Sequence, residues 1–508
     1  MSPNLIRLCT LTLIALCAPG YRGEAHAAPA PDPGPGRPNI ILVLADDLGL
    51  YELGCYGQEK IRTPQIDRLA HEGMRFERFY SASTVCAPSR ASLLTGLHTG
   101  HAPIRGNREV GGWGPEEPEG QHPIPDGSVT LAERLKDLGY ATAAFGKWGL
   151  GGPGSAGHPN AQGFDHFYGY LCQRVAHNYY PTHLWRGHEV DVLHGNSHFG
   201  AHQRIAAPLE TDGAYRARYA GDDYAPEEIA LEAEAWIAEH NKNRPGDPFF
   251  LYYASVIPHV ALQAPAPYID RYPRAWDPEP YLGDRGYLPT LRPRATYAAM
   301  ISFLDDVVGR LRAAVEASGD ADNTLILVTS DNGTTFNGGV DRAFFRSLGD
   351  LRGHKTNLYE GGIRVPMIAW WPGRIEAGTT SDIVAQLPDL FPTAVEAAGG
   401  DAPESLDGIS LMPTLLGDSQ QRAHSELYWE FPEGRQQQAV LLDGRWKAIR
   451  PDLKRGLAME LYDLATDPGE TSDLAHAMPV LVERARLAMA RSRTVSDLFP
   501  IPALDEGP

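Results

Sequence analysis

The chain has 508 residues, 43% of them hydrophobic and 21% charged, a globular composition long enough for one large domain with an appendage or for more than one core. Asp and Glu number 64 against 45 Lys and Arg, a net charge of -19, which argues against nucleic acid and anionic membranes as partners. Attraction for an anionic substrate would have to be local to a site.

In chain order, residues 1–27 read as a secretory signal. Arg7 gives a short positive region, Leu8 to Ala18 is apolar, and Ala25-His26-Ala27 fits the small-x-small pattern, placing cleavage before Ala28. The apolar run is too short to span a bilayer and ends at Pro19-Gly20. The expectation is therefore an exported protein, periplasmic or extracellular, with no membrane anchor. Residues 28–37, rich in Pro and Gly, read as a linker.

Asn39 to Ala45 is a continuous β-favouring run, as expected of a strand covered on both faces, and it ends in Asp46-Asp47. Thr63-Pro64 opens a helix that closes at Gly73. Cys86-Ala87-Pro88-Ser89-Arg90 opens another, running to Thr95-Gly96. Thr130 to Glu133 is a capping box with Gly139 as the stop. Ala141 to Phe145 is a strand ending in Gly146-Lys147-Trp148, and Phe249 to Ala254 is a strand followed by His259. Ala295 to Val315 has helical period. Thr324 to Thr329 is a strand ending in Ser330-Asp331-Asn332-Gly333, and Lys355 precedes Tyr359-Glu360-Gly361-Gly362.

Strands alternating with helices predict a mainly parallel sheet with helices on both faces and sites at the strand C-terminal ends. After Leu406-Asp407-Gly408 the pattern changes. Short strands at Leu427–Phe431, Gln438–Leu442, Trp446–Arg450 and Glu460–Asp463, with an Asp443-Gly444 hairpin turn and a helix at Pro479–Arg491, predict a small antiparallel subdomain. The predicted organisation is a catalytic domain over 38–410 and a C-terminal α+β subdomain over 411–508.

Five cysteines are present, and Cys9 and Cys17 leave with the signal. Cys55, Cys86 and Cys172 make no disulfide framework, so an exported protein holds an odd thiol in need of a role. Cys55 and Cys172 are either buried thiols or one bridge. Pro88 is tolerated near a helix start. It leaves residue 86 at the N-terminus, where free N–H groups favour an anion. Arg90, about one turn on, adds a fork-shaped donor for an oxyanion. The plainer alternative is a buried cysteine before an ordinary surface helix. Asp46, Asp47, Asp331 and Asn332 are hard oxygen donors at two strand ends, suited to Ca²⁺ or Mg²⁺ rather than Zn²⁺.

The stretch from Cys86 to Gly96 resembles the sulfatase signature, and the similarity runs from about Pro38 to the C-terminus. The resemblance implies an α/β, alkaline-phosphatase-like fold, with a mixed, mostly parallel sheet sandwiched by helices. It implies that a maturation enzyme oxidises Cys86 to formylglycine (3-oxoalanine), whose hydrated aldehyde attacks the sulfur of a sulfate ester. A second hydroxyl would then expel sulfate. Asp46, Asp47, Asp331 and Asn332, with residue 86, would hold a divalent cation, calcium being usual in the family and magnesium the alternative. Arg90, Lys147, His259 and Lys355 match family catalytic positions, whose cations stabilise charge on sulfate or donate to the departing oxygen.

One position departs from the pattern. The family commonly has His two residues after the lysine, where this chain has Gly149 in Lys147-Trp148-Gly149-Leu150-Gly151; His158 is a candidate replacement. Between Gly169 and Trp185, the residues His177, Asn178 and Trp185 suit a sugar ring. A sulfated saccharide is the expected substrate. The alternatives are a phosphodiester or phosphonate ester hydrolase of the same superfamily, or a carbohydrate-binding protein with a dead site and unmodified Cys86.

Overall fold

The apolar run Asn39–Ala45 is the centre of a ten-stranded sheet, and all seven of its residues are buried. The structure is a computed structural model that describes residues 36–110 and 119–505. The expected signal segment and all but the last two residues of the expected linker lie outside the described residues. From one edge to the other the strands are Thr379–Ser381, Met74–Phe76, Met367–Trp370, Thr324–Ser330, Asn39–Ala45, Phe249–Ala254, Ala141–Lys147, His166–Tyr170, His183–Arg186 and Glu189–Val192.

The central strands are parallel, and antiparallel pairings are confined to the flanks. Alternate residues feed two cores. Ile41 and Val43 face a cluster completed by the helices Ala225–Asn243 and Pro293–Ser318. Ile40, Leu42 and Leu44 face one completed by Leu131–Asp137 and Leu390–Ala397. With helices on both faces no polar alternation is allowed, which is why the strands read as unbroken apolar runs.

Register decides where the polar strand ends fall. Ala45 pairs with Ser330 and Leu44 with Ala254, so Asp46, Asp331 and Ser255 leave the sheet side by side. Asp331 N–H donates to Ala45 O and Asp46 N–H to Ile257 O, both at 3.0 Å, which extends the ladder one step past the strands. The strand from Ala141 runs two residues beyond the sequence reading, to Lys147, which pairs with Tyr170.

His183–Arg186 and Glu189–Val192, read from sequence only as part of a polar, aromatic cluster, add an antiparallel edge to this sheet. The sequence reading also missed the helix Ala225–Asn243. Alternating Glu and Ala there obscure the buried stripe Ile229, Ala233, Ile237.

The C-terminal sheet orders Glu426–Phe431, Gln437–Leu442, Trp446–Arg450 and Glu460–Asp463 antiparallel. Asp443 and Gly444 have φ of 50° and 62°, so both central turn residues are left-handed, as a tight two-residue hairpin requires. One face of the sheet packs on the helix Pro479–Arg491 through Ala485, Ala488 and Met489. The other packs on Tyr80, Val85 and Ile363. Lys447, fully buried, lies 2.8 Å from Glu360 and 2.9 Å from Glu470, bolting this sheet to the segment after Lys355.

Candidate active site

The helix Cys86–Thr95 is buried along its whole length. It is not an ordinary surface helix. Small residues let it lie inside the molecule, and Gly96 at φ 67° ends it, donating its N–H to Ser92 O. Cys86 is the first helical residue, so its side chain stands at the end that favours negative charge.

That end meets the strand termini. Cys86 Sγ is 3.1 Å from Asp46 Oδ1 and 3.6 Å from Lys355 Nζ. Lys355 Nζ also lies 2.8 Å from Asp47 Oδ1. Lys147 Nζ reaches Asp46 Oδ2 at 2.5 Å. Arg90 donates through Nε and Nη2 to Asp331 Oδ2 at 3.1 and 3.0 Å, and through Nη1 to Lys147 O. Asp47 holds φ 69°, a left-handed conformation that Asp tolerates, and this aims its N–H at Asp331 Oδ1, 3.1 Å away. Asn332 Nδ2 donates to Asp47 Oδ1 at 2.7 Å. The side chains predicted from three strand ends, one helix start and one loop therefore converge.

Electrostatics bind them together. Burial opposes charge on Asp46, but Lys147, His259, Arg90 and Lys355 hold its carboxyl well below the usual range. Burial, reinforced by the Asp46 charge, pushes the Cys86 thiol well above its ordinary value, so the unmodified side chain is a thiol and a poor nucleophile. Burial with Asp46 alongside pushes Asp331 up to about 7 in spite of Arg90.

His259 turns Nδ1 toward the carbonyl of Val260, which leaves Nε2 facing the centre, 3.8 Å from Asp47 Oδ2. His177 stacks on it, ring centroids 4.7 Å apart and planes 8° from parallel. Tyr287 stands edge-on to both rings, and His202 lies 3.3 Å from His177. Tyr287 and His202 come from irregular segments without a motif, so no sequence signal marked them.

Other expectations resolve differently. Asn178 is buried and turned into its own turn, its Oδ1 accepting Tyr180 N–H at 3.0 Å. The Trp185 indole N–H donates to Glu119. Of the three residues read as sugar contacts, only His177 is seen packed on His259, beside the cluster around Cys86. His158 donates through Nε2 to Gly187 O and stacks on His188, so it does not stand in for the missing histidine. The volume is taken by Gln173: a Cβ at Gly149 would lie 2.7 Å from Gln173 Cγ, and φ there is 77°. Cys55 and Cys172 are free thiols.

A second cluster joins His98, His101 and Asp407. Gly100 N–H donates to His98 Nδ1, which places the imidazole proton on Nε2, facing Asp407 Oδ1 at 3.6 Å. Asp407 is held within the protein, accepting His98 N–H at 3.0 Å and lying 2.9 Å from His101 Nδ1, which joins the three as a hydrogen-bonded cap.

The family model described as sulfatase matches residues 38–400. The chain belongs to the sulfatase family. A second model, described as the C-terminal part of N-sulphoglucosamine sulphohydrolase, matches residues 353–488. The sulfatase is 32% identical over 410 residues to the N-acetylgalactosamine-6-sulfatase of Homo sapiens, covering 77% of this chain and 67% of that one. To arylsulfatase A of Bos taurus it is 32% identical over 516 residues, covering 97% and 91%. The crystal structure of Ps i-CgsB superposes with a TM-score of 0.69 at 26% identity, covering 90% of this chain and 91% of that one. The same protein has been solved in complex with k-i-k-neocarrahexaose.

Proposed function

We propose that this sulfatase removes sulfate from a sulfated saccharide, with residue 86 as the formylglycine nucleophile and a divalent cation beside it. One observation carries the reading. Cys86 Sγ lies 3.1 Å from a buried carboxylate and 3.6 Å from a buried ammonium group, at the start of a buried helix.

The donor set fits a hard cation. Asn332 Oδ1 is buried without a hydrogen-bond partner, and three carboxylates converge beside it. Burial, with Asp46 alongside, pushes Asp331 up to about 7, and a cation held there would favour its charged form. Asp46, Asp47, Asp331, Asn332 and residue 86 would hold the ion, calcium by family resemblance with magnesium as the alternative. Bound there, it would polarise the sulfate oxygens.

The chain's own groups supply the rest. Oxidation of Cys86 by a maturation enzyme replaces a thiol that burial keeps protonated with a hydrated aldehyde, whose two hydroxyls allow attack and later release of sulfate. Arg90 fixes Asp331 and the Lys147 carbonyl, so it orders the centre from behind. Lys147 and Lys355 set positive charge where sulfate oxygens would lie. Burial and the Lys355 charge push His259 down to about 4, so the imidazolium that would hand a proton from Nε2 to the departing sugar oxygen would form only with the sulfate's negative charge alongside. His177, stacked on His259, forms part of the sugar-facing wall.

The similarity to N-acetylgalactosamine-6-sulfatase and to a protein solved with k-i-k-neocarrahexaose supports a saccharide substrate. The signal-like residues 1–27 support export, and no helix among the described residues is long and apolar enough to cross a membrane. The test is kinetic. Sulfated mono- and oligosaccharides are expected to show higher kcat/KM than a steroid sulfate or a matched phosphonate ester. His177→Ala is expected to lower kcat/KM for sugars about tenfold or more beyond its effect on a small aryl sulfate. Preference for the phosphonate ester, or equal losses on both sulfates, would overturn the reading.

A further inference from the structure

Two cavities meet at Phe336, a ring left 38% exposed. The larger, of about 460 Å³, is bordered by Arg285, Arg342 and Arg346, and the smaller, of about 280 Å³, by His354 and Arg435. Phe336 stacks on His354, ring centroids 4.7 Å apart. The segments that border this groove also carry reaction-centre residues. His354 precedes Lys355, and its Nδ1 lies 2.7 Å from Lys355 O. Lys355 N–H donates at 3.0 Å to the carbonyl of Thr334, just before Phe336 in the chain. Gly338 N–H donates to Arg285 O at 3.3 Å. Arg285 in turn comes just before Tyr287, the ring set edge-on to His259 and His177.

Charge sets the groove apart. The chain carries a net charge of -19, yet the two linings together hold Arg285, Arg342, Arg346 and Arg435 against a single carboxylate, Asp341. That carboxylate is taken at 2.7 Å by Arg294, which lies outside both linings. None of the four lining arginines forms an ion pair among the described residues. Arg285, Arg346 and Arg435 are exposed, and Arg342 is half-buried. Burial, with Arg285 alongside, pushes the Arg342 guanidinium below its ordinary value, and an anion held there would oppose that shift. Guanidinium forks match the oxygens of sulfate or carboxylate. An exposed aromatic ring between them suits the apolar face of a sugar.

We infer that this groove holds a second anionic group of the substrate, a sulfate or a carboxylate, so that the enzyme acts on saccharides charged beyond the ester cleaved at residue 86. The choice of a saccharide rests on the function proposed above. The arginines supply local attraction in a chain whose overall charge repels anions. They touch none of the groups around Cys86 and take no part in ester cleavage.

The test compares three oligosaccharides of one backbone in the full-length enzyme produced with a maturation enzyme. One carries a single sulfate, one a second sulfate, and one a uronate in place of that second sulfate. At least one dianionic substrate is expected to show about tenfold higher kcat/KM through a lower KM, an advantage that shrinks as ionic strength rises. The better of the two identifies the anion. Arg346→Gln and Arg435→Gln, both at exposed side chains, should each raise KM for that substrate about two- to fivefold, the value of an exposed ion pair, and about tenfold together. Turnover of the monosulfated oligosaccharide and of a small aryl sulfate should stay native. Equal kcat/KM on all three oligosaccharides, KM indifferent to both substitutions, or an equal loss on the aryl sulfate would each overturn the inference. Calorimetry on the unmatured Cys86 form separates it from the reading beneath it. If a dianionic saccharide binds there in a manner that depends on Arg346 and Arg435, but no sulfated saccharide is hydrolysed by the matured enzyme, the groove stands and the proposed function falls. Hydrolysis that ignores both arginines means the reverse.

Discussion

Two of the buried charge clusters among the described residues are built to different ends. Around Cys86, three carboxylates face Arg90, Lys147 and Lys355, yet Asn332 Oδ1 is left without a partner. Around Lys447, one ammonium joins Glu360 and Glu470, Tyr80 donates to Glu360 Oε2 at 2.9 Å, and Glu360 N–H donates to Glu470 at 2.7 Å. The first cluster sits at the end of parallel strands, carries a sulfur atom and keeps an open acceptor. The second lies across the seam between the two sheets and carries no sulfur, and its one acceptor without a hydrogen bond, Glu470 Oε1, is ion-paired to Lys447 at 2.9 Å. Burial of charge therefore does not mark a reaction centre by itself. What sets the first cluster apart is a cysteine at a helix start beside an acceptor that no cation pairs.

The largest effect that tests this contrast is expected at Cys86. Cys86→Ala removes the proposed nucleophile and should lower aryl sulfate turnover by about 10³-fold or more. The melting temperature should stay close to native, because the change removes one small group and no charge. Mass spectrometry of the native peptide after co-expression with a maturation enzyme should show the aldehyde. Normal turnover in the alanine variant would end the assignment of residue 86.

The open acceptor gives the next largest effect. Asp331→Ala should lower both bound divalent metal, measured by elemental analysis, and kcat/KM, the latter by about 10²-fold. Exhaustive chelation of the native enzyme should do the same, with recovery on adding calcium. Full activity in the chelated protein would remove the cation from the site and leave Asn332 Oδ1 unexplained.

At the Lys447 cluster the consequence should be reversed, with stability lost and chemistry kept. Lys447→Met leaves two buried carboxylates without their main cation, a change that costs about 3–5 kcal/mol. Denaturant unfolding should show that loss, while kcat per folded molecule stays native. Adding Glu360→Gln and Glu470→Gln should restore much of the stability, since the uncompensated charge is then gone. A drop in kcat with unchanged stability would place this cluster in the chemistry and dissolve the contrast.

Much of this arrangement was legible in the sequence, for a physical reason. Strands covered on both faces must be apolar throughout, so Asn39–Ala45 and Thr324–Ser330 announce themselves, and the polar residues that end them stand out. The hairpin at Asp443-Gly444 and the capping box at Thr130 are local chemistry and needed no tertiary information. What could not be read depends on distant contacts. That His177 stacks on His259 while Asn178 turns into its own backbone follows from packing, not from pattern. The edge strands from His183 to Val192 have polar faces and few buried residues, so no alternation marked them. Gly149 is intelligible only once Gln173 is seen in the space its side chain would need.

The smallest effect separates the junction from the centre by pH. His424, where the chain enters the C-terminal sheet, lies 2.9 Å from buried Asp389, which also accepts N–H groups of Gln386 and Ile409. Burial works against the His424 imidazolium, but Asp389 outweighs it and raises the imidazole above its usual value. A histidine raised in the folded state binds its proton more tightly there than in the unfolded chain. Its contribution is therefore complete below the unfolded value of about 6.5 and is lost as pH climbs through the raised folded value. Unfolding free energy should fall over that window in the native enzyme and fall less in His424→Gln. The difference between the two curves isolates this pair from His98, which burial pushes down to about 4 and which acts with the opposite sign, costing stability as pH drops below about 6.5. Aryl sulfate kcat at fixed pH should be the same in both proteins, because His424 touches none of the residues around Cys86. Superimposable stability curves would show that Asp389 holds the junction through its backbone partners alone.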